Sequence, residues 1–230
     1  MKLHKRKWIK KWKWTLIALI PTAIIILPLY FIIIGGFQSI AEIFHQPPYW
    51  FPPNPSLDSY KEALITLLPY LKNSFIITLG NLILTLAVAL PAAFVLAKFH
   101  LRFENPIFFL LTFVQMLPVT AVIIPLFLIF NNFKLINNYL SVILGVAVFT
   151  IPFATIILRA YMQAIPTGLI EAAFIDGAGL LQVFRNIVIP LSSPAIATAG
   201  ILTFIMAWGD FAVSLSFLKD RSMQPMSIGL

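Results

Sequence analysis

The chain has 230 residues, of which 60% are hydrophobic and only 10% charged, and its mean hydropathy is +0.95. A soluble domain carries about 25% charged residues, so this sequence has too few polar groups to cover a water-facing surface and reads as an integral membrane protein. The net charge of +8 is local: seven of the sixteen Lys and Arg lie in the first thirteen residues, which leaves nine bases against eight acids, and the lack of cysteine excludes disulfides and cysteine-ligated metal.

The basic start (Lys2, Lys5, Arg6, Lys7, Lys10, Lys11, Lys13) is interleaved with Trp8, Trp12 and Trp14. Such an arm could grip nucleic acid. An apolar run follows at once, however, and the positive-inside rule with an aromatic belt accounts for the pattern, so no nucleic-acid partner is expected. Residues 1–13 read as a basic cytoplasmic N-terminus and 14–36 as the first transmembrane helix. At 1.5 Å per residue that helix is about 33 Å long, enough for a hydrocarbon core of about 30 Å. It is too long for a cleaved signal core, and no small-x-small cleavage site follows.

Residues 37–70 form an extracytoplasmic segment. Its proline-rich part, PPYWFPPNPSLDSYKEAL, favours extended structure, and Leu57 to Leu68 predicts a short interfacial helix. The segment is either a passive linker or, given Tyr49, Trp50 and Phe51, a docking surface for an external partner. Four further spans are predicted: about Leu71–Ala97, Pro106–Phe130, Tyr139–Tyr161 and Pro194–Leu218. Pro21, Pro28, Pro91, Pro118, Pro125 and Pro152 fall inside spans, where neighbouring helices can satisfy the freed carbonyls and kinks are tolerated.

With the N-terminus inside, eleven bases lie on the cytoplasmic side and five (Lys61, Lys72, Lys134, Lys219, Arg221) outside. That orientation puts the loop of residues 162–192 in the cytoplasm. Five spans leave the C-terminus outside, where the chain stops at Met226 to Leu230 without an anchor and reads as truncated.

Polar residues inside spans are costly and mark a transport path by default. Asn81, Gln115, Thr120 and Asp210 qualify. Interhelical hydrogen bonding is the plainer role for the first three. Gln115 lies about 13 Å into the third span, beside the kink expected at Pro118. Asp210 follows Trp208 near the outer end of the fifth span. A carboxylate that accepts from hydroxyls and an indole that stacks suit a sugar; the plainer alternative is an interfacial anchor or a partner-facing contact.

The loop of residues 162–192 is the most informative segment. Pro166 sits near a helix start, where its missing N–H costs nothing. Ile170, Ala173 and Phe174 share a helical face. Glu171 lies near the N-terminal end, where the dipole favours a carboxylate. Gly177 and Gly179 permit a sharp turn. Leu180 to Val188 predicts a second short helix with Leu181, Phe184, Ile187 and Val188 as its apolar positions. Together these make a helix-turn-helix knob whose small residues allow close contact, and whose Glu171 and Asp176 can pair with a partner's bases. A plain interfacial loop packed on its own bundle is the alternative.

The string resembles the EAA motif of bacterial ABC importer permeases: EAA, three residues, G, nine residues, I, one residue, LP. Glu171, Ala172, Ala173, Gly177, Ile187 and Pro190 match it, and Ile189 stands where the family usually has Leu. LKNSFIITL resembles the family's start of the second helix, IPFATIILRAYMQAIPTGLIEAA the helix that leads into the coupling loop, and FIMAWGDFAVSLSFL a stretch of carbohydrate-importer permeases of the maltose type. In the last of these, Gly209 and Asp210 replace an Asn and a Glu.

The resemblance implies the all-α transmembrane domain of a type I ABC importer, with its permease core at 71–230 and a sixth helix that is expected but absent here. It implies a bacterial inner-membrane location, a second permease subunit, two ATPase subunits and an extracytoplasmic solute-binding protein that delivers a carbohydrate, an oligosaccharide in the first instance. The EAA loop (Glu171, Ala172, Ala173, Asp176, Gly177, Ile187, Pro190) would dock the ATPase. No catalytic residue and no bound cofactor or metal are expected in the chain, with ATP and Mg held by the partner ATPase. The alternatives are an ABC importer for a polyamine, phosphate or amino acid, and an ion-coupled secondary carrier.

Overall fold

The computed structural model describes residues 2–99 and 101–229, with side chains from Thr15 onward. The side chains of the basic cluster, of Trp8, Trp12 and Trp14, and of His4 lie outside the described residues, as does His100. Every long element is a helix, and the chain divides into two compact units, Met1–Thr66 and Leu67–Leu230.

In the first unit, α1 (Lys2–Gly35) contains the apolar stretch Thr15–Gly35, long enough to cross a membrane. The chain then folds back on itself. Tyr60 donates from its hydroxyl to the Ile33 carbonyl (2.7 Å), and the Ser56 amide donates to the Phe37 carbonyl (3.0 Å). Gly36 is needed for this close approach, because a Cβ there would sit 2.3 Å from the Tyr60 ring. Between these ties lies α2 (Ile40–Ile43), with Ser39 and Glu42 forming a reciprocal capping box. The backbone hydrogen bond from Ser39 holds the Glu42 carboxyl below its usual range.

The second helix is longer than the sequence suggests. α3 (Asp58–Lys98) has 41 residues and absorbs the interfacial helix expected over Leu57–Leu68 as its first turns. Its 41 residues correspond to about 61 Å of helical rise, twice the hydrocarbon thickness. The Ser56 hydroxyl caps its start by accepting from the Asp58 amide (3.0 Å).

In the second unit α3 pairs with α6 (Tyr139–Gln163) through a ladder of polar contacts. Tyr139 donates to Asn73 Oδ1 (2.7 Å), Asn81 Nδ2 donates to the Ile143 carbonyl (3.0 Å), and the hydroxyls of Thr85 and Thr150 meet at 2.8 Å. Farther along, Arg159 Nε donates to the Leu96 carbonyl (3.2 Å) and Lys98 Nζ to the Gln163 carbonyl (3.3 Å). The sequence offsets are 66, 62, 65, 63 and 65, so the two helices run parallel and in register. Small residues let them approach: Ala89, Ala93 and Ala154 are fully buried in one cluster with Leu158, and a Cβ on Gly80 would meet Ile143 Cδ1 at 2.6 Å.

Because α3 and α6 are parallel, the chain between them must return the length of the pair. It does so in two pieces, with a far sharper break than the kink expected at Pro118 within the span over Pro106–Phe130. α4 (Glu104–Met116) and α5 (Val119–Asn132) meet at 104°. Pro118 offers no N–H and forces the preceding residue out of the helical region; Leu117 sits at φ −74°, ψ 131°. Each piece is about 20 Å long, too short to cross alone. The N-terminus of α4 is fixed to α6 by an ion pair of Arg159 with Glu104 (2.5 Å), and the same guanidinium lies 4.6 Å above the Phe108 ring.

The last span is also broken. α10 (Ser193–Trp208) ends at Gly209, and a separate helix, α11 (Ala212–Phe217), follows. The chain then closes on the start of α6 and the middle of α3. Asn137, at φ 64°, accepts from the amides of Lys219 (3.0 Å) and Asp220 (2.9 Å), and Asn73 donates to the carbonyls of Ser222 (2.8 Å) and Gln224 (2.9 Å). Ile77, Val142, Val146, Ala207, Val213 and Phe217 form the apolar cluster at this end.

If the ladder locks α3 to α6, Asn81→Leu lowers stability in a denaturant titration in mild detergent by about 1–2 kcal/mol, the upper range for interhelical hydrogen bonds in membranes. Thr112→Val, which removes a hydroxyl bonded only within its own helix to Phe108, changes it by less than about 0.5 kcal/mol. Equal effects would contradict the lock.

Candidate functional site

The loop after α6 folds as a short helix, a glycine turn and a distorted second helix. α7 (Thr167–Ile175) starts at Pro166, whose φ of −58° and ψ of 127° place it just outside the helix. Its end explains the spacing of the motif. The Ala178 amide donates to the Ala173 carbonyl (2.9 Å) and the Gly177 amide to the Phe174 carbonyl (3.1 Å). These are the two bonds of a Schellman cap, and Gly177 is at the left-handed position, φ +83°. An alanine followed four residues later by a glycine is therefore the separation this cap requires.

After the turn, Gln182 Oε1 reaches back to accept from the Gly179 amide (2.8 Å), opening α8 (Leu180–Val183). A wider π turn follows over Phe184–Val188 and leads into α9 (Ile189–Leu191). Pro190 has no N–H for the Asn186 carbonyl and its ring crowds that group, which a widened turn relieves. The helical run Leu180–Leu191 then bends by 77° into α10 at the buried Ser192. The regular helix expected over Leu180–Val188 is thus replaced by one turn of α-helix and the π turn.

One side of the loop is welded to the bundle. Ile170, Val183 and Val188 are buried with Phe94 of α3 and Leu158, Met162 and Ile165 of the α6 end, and Ala173, Ala178, Phe184 and Ile187 pack on the same cluster. The rings of Phe94 and Phe184 lie 5.3 Å apart. The other side is bare. Glu171, Ala172, Asp176, Gly177 and Pro190 are exposed, and beside them stand Ile175 (85% exposed), Leu181 (74%), Leu180 and Phe174. An open groove of about 400 Å³ runs along Asp176, Gly177, Ala178, Gln182, Val183, Asn186 and Ile187. The expected apolar faces shift accordingly: Phe174 and Leu181 point outward, and Val183 takes the buried position.

A half-open cleft of about 90 Å³ is lined by Val119, Val146, Phe149, Thr150, Met206, Asp210 and Val213. Three of the residues expected to bear on a path converge here. Asp210 lines it. Asn81 borders it through Thr150, whose hydroxyl donates to Asn81 Oδ1 (3.2 Å), and Gln115 donates to the carbonyl of the lining Phe149 (2.7 Å). Asn81 and Gln115 thereby spend polar groups on interhelical bonds. Thr120 is exposed at the start of α5. Trp208 is not among the lining residues and packs against Phe75 (5.0 Å) and Phe204 (5.6 Å). The Asp210 carboxylate accepts from the amides of Val213 (3.3 Å) and Ser214 (2.9 Å) and from the Ser214 hydroxyl (2.8 Å). It caps α11 where the broken span would otherwise leave amides bare.

Residues 89–228 match the family model of the binding-protein-dependent transport system inner membrane component. The chain belongs to this family. The matched segment takes in the loop, the cleft and most of the bundle. The sulfoquinovosyl glycerol transport system permease protein of Agrobacterium fabrum is 32% identical over 88% of this chain and 72% of its own length. A diacetylchitobiose uptake system permease protein of Streptomyces coelicolor is 27% identical, over 90% and 75%. The glucose import system permease protein of Saccharolobus solfataricus is 28% identical, over 92% and 76%. Among solved structures, a bacterial ABC transporter that imports alginate is similar with a TM-score of 0.84 at 24% identity, over 95% of this chain and 77% of that one. The chain is thus a transport subunit of a binding-protein-dependent ABC system, a multi-pass inner-membrane permease with the expected all-helical fold. Such a system includes an ATPase and a solute-binding protein.

Sequence reading of this permease missed the outward apolar group of the loop, because Leu169, Ile170, Ala172, Ala173, Phe174 and Ile175 surround the short helix and periodicity cannot choose a face. It also missed Lys98, Glu104 and Arg159, whose partners are 55 to 67 residues away. If capping is the role of Asp210, Asp210→Ala destabilises the purified permease by about 1–2 kcal/mol while Asp210→Asn, still a good cap, changes it by a few tenths. Loss of transport in a stable Asp210→Asn variant would instead assign the charge to the path.

Proposed function

We propose that this permease moves a carbohydrate, delivered by an external solute-binding protein, through the membrane, and that the loop from Glu171 to Pro190 receives the thrust of the ATPase. The observation that carries the docking reading is the two-sided build of the loop. One face is fixed in the α3–α6 core, while the other offers exposed Ile175, Leu180 and Leu181 beside the carboxylates Glu171 and Asp176. Exposed apolar groups rimmed by charge suit a protein partner better than water. The Schellman cap makes the knob stiff, as a force-bearing contact requires.

The charge distribution supports an N-terminus inside the cell, with the ends of α3 and α6 and the loop on the cytoplasmic face. In this reading residues 1–13 are the basic cytoplasmic start, 14–36 the first span, 37–70 the extracytoplasmic segment and 71–230 the permease core. A second permease subunit completes the passage and two ATPase subunits lie below. The three sugar-transporting relatives support a carbohydrate cargo, an oligosaccharide among the options. The cleft beside Asp210 and Thr150, too small for a sugar ring as it stands, is a candidate stretch of the route.

The double variant Glu171→Lys, Gly177→Pro tests the docking role. It reverses one charge and removes both the left-handed glycine and a cap amide. Insertion into the membrane is expected to be normal, with solute-stimulated ATP hydrolysis and transport lost. Unimpaired transport would overturn the docking role. The cargo is tested by equilibrium binding on the cognate solute-binding protein: a carbohydrate is expected, and a preference for amines or inorganic anions would contradict it.

A further inference from the structure

We propose that Lys98 is the positioning residue that ties the coupling loop to α3, so that the helix and the loop move as one piece. The proposal rests on the docking reading of the loop above.

The geometry begins with the parallel α3–α6 pair. Parallel helices bring their C-terminal ends side by side, and each end carries a partial negative charge of about half an electron from unpaired carbonyls. Lys98 is the last residue of α3, so its ammonium already sits at one of these ends. Its Nζ donates to the carbonyls of Gln163 (3.3 Å) and Ile165 (2.5 Å). Gln163 closes α6, and Ile165 is the residue before Pro166, where α7 begins. One cation thus compensates two helix ends and fixes the three-residue joint from which the loop departs.

Among the described residues no other donor is bonded to the Ile165 carbonyl. The Ile165 amide still donates to the Met162 carbonyl (3.2 Å), but Pro166 supplies no N–H. Among the described residues Lys98 makes no ion pair with a carboxylate, so its protons are directed to the joint. Arg159, the neighbouring cation, works elsewhere: it holds the Leu96 carbonyl and Glu104 and lies over Phe108, which fixes α4. Apolar contacts finish the joint, with Met162 and Ile165 buried beside Phe94 and next to Ile170 of α7. Those contacts and the backbone bonds from Ala164 to the Tyr161 carbonyl (3.1 Å) and from Ile165 to the Met162 carbonyl (3.2 Å) hold the joint to α6; the two bonds to Lys98 add its direct polar tie to α3.

The test uses the complete importer, with both permeases, the ATPase and the binding protein, reconstituted in liposomes. The readouts are co-purification of the ATPase, ATP hydrolysis and solute moved per ATP. Lys98→Met keeps the aliphatic stem and removes the donors. It is expected to retain the ATPase and hydrolyse ATP, while solute per ATP falls about fivefold, within the range a single network residue imposes on coupling. Lys98→Arg, which keeps charge and donors, is expected to restore most of the ratio. Lys98→Gln, a neutral donor, should fall between and serves as the decisive variant if Lys98→Met does not assemble. A wild-type ratio in Lys98→Met or Lys98→Gln, alongside an uncoupled Glu171→Lys, Gly177→Pro variant, overturns the positioning role and leaves the docking reading intact. If that double variant transports normally, the docking reading itself fails.

Discussion

The parallel pairing of α3 and α6 is the constraint on which the second unit depends. Two apolar helices in a bilayer have no hydrophobic reason to choose a register, since lipid is as apolar as they are. Here register comes from polar groups, those in the middle of the pair buried away from water. Asn73, Asn81 and Thr85 meet Tyr139, the Ile143 carbonyl and Thr150, while Arg159 and Lys98 meet the carbonyls of Leu96 and Gln163. A slip of one turn would leave several of them unpaired, and each would cost far more than the slip could gain in packing. The alanines and Gly80 then allow the backbones close enough for the bonds to form.

The breaks elsewhere follow from that pair. A rigid parallel rod needs a return path between its members, and the return through α4 and α5 turns by 104° at Leu117–Pro118. The rod also leaves α10 to finish against its far end, where Gly209 stops the helix and Asp210 starts the next one. At the second break the amides freed at the start of α11 find a partner inside the protein, as irregular backbone at membrane depth requires. That partner is Asp210. Its carboxylate is costly in the bundle, and three hydrogen bonds to the start of α11 account for its presence there.

How legible each part was in the sequence depends on the range of the interaction that decides it. Membrane character is a sum over neighbours, and the apolar stretches read correctly. The spacing from Ala173 to Gly177 encodes a cap that closes within six residues, so the loop was legible too. Pro118 announced a kink, but hydropathy carries no angle, and a turn beyond a right angle reads the same as a mild bend. The ladder was illegible for a different reason. Asn81 stood out as a polar residue in a span, yet its partners lie 62 and 69 residues away, and nothing local distinguishes a helix lock from a solute contact. Trp208 and Asp210 are adjacent in sequence, yet the end of α10 sends the ring to Phe75 and Phe204 and the carboxylate to α11, contacts that no local pattern announces.

The central claim is that α3 and the loop from Glu171 to Pro190 form one body that an ATPase moves as a unit. The chain has no native cysteine, so paired spin labels can be placed without background from this subunit. Leu79 is exposed on α3, and a Cβ at Gly168 meets open space at the start of the loop. Nineteen residues separate Leu79 from the end of α3, about 29 Å along the helix, a span suited to pulsed dipolar spectroscopy. In the assembled importer, the Leu79→Cys to Gly168→Cys distance is predicted to stay the same, within the width of its distribution, between nucleotide-free and ATP-trapped states. A clear shift of that distance on ATP binding would contradict the account.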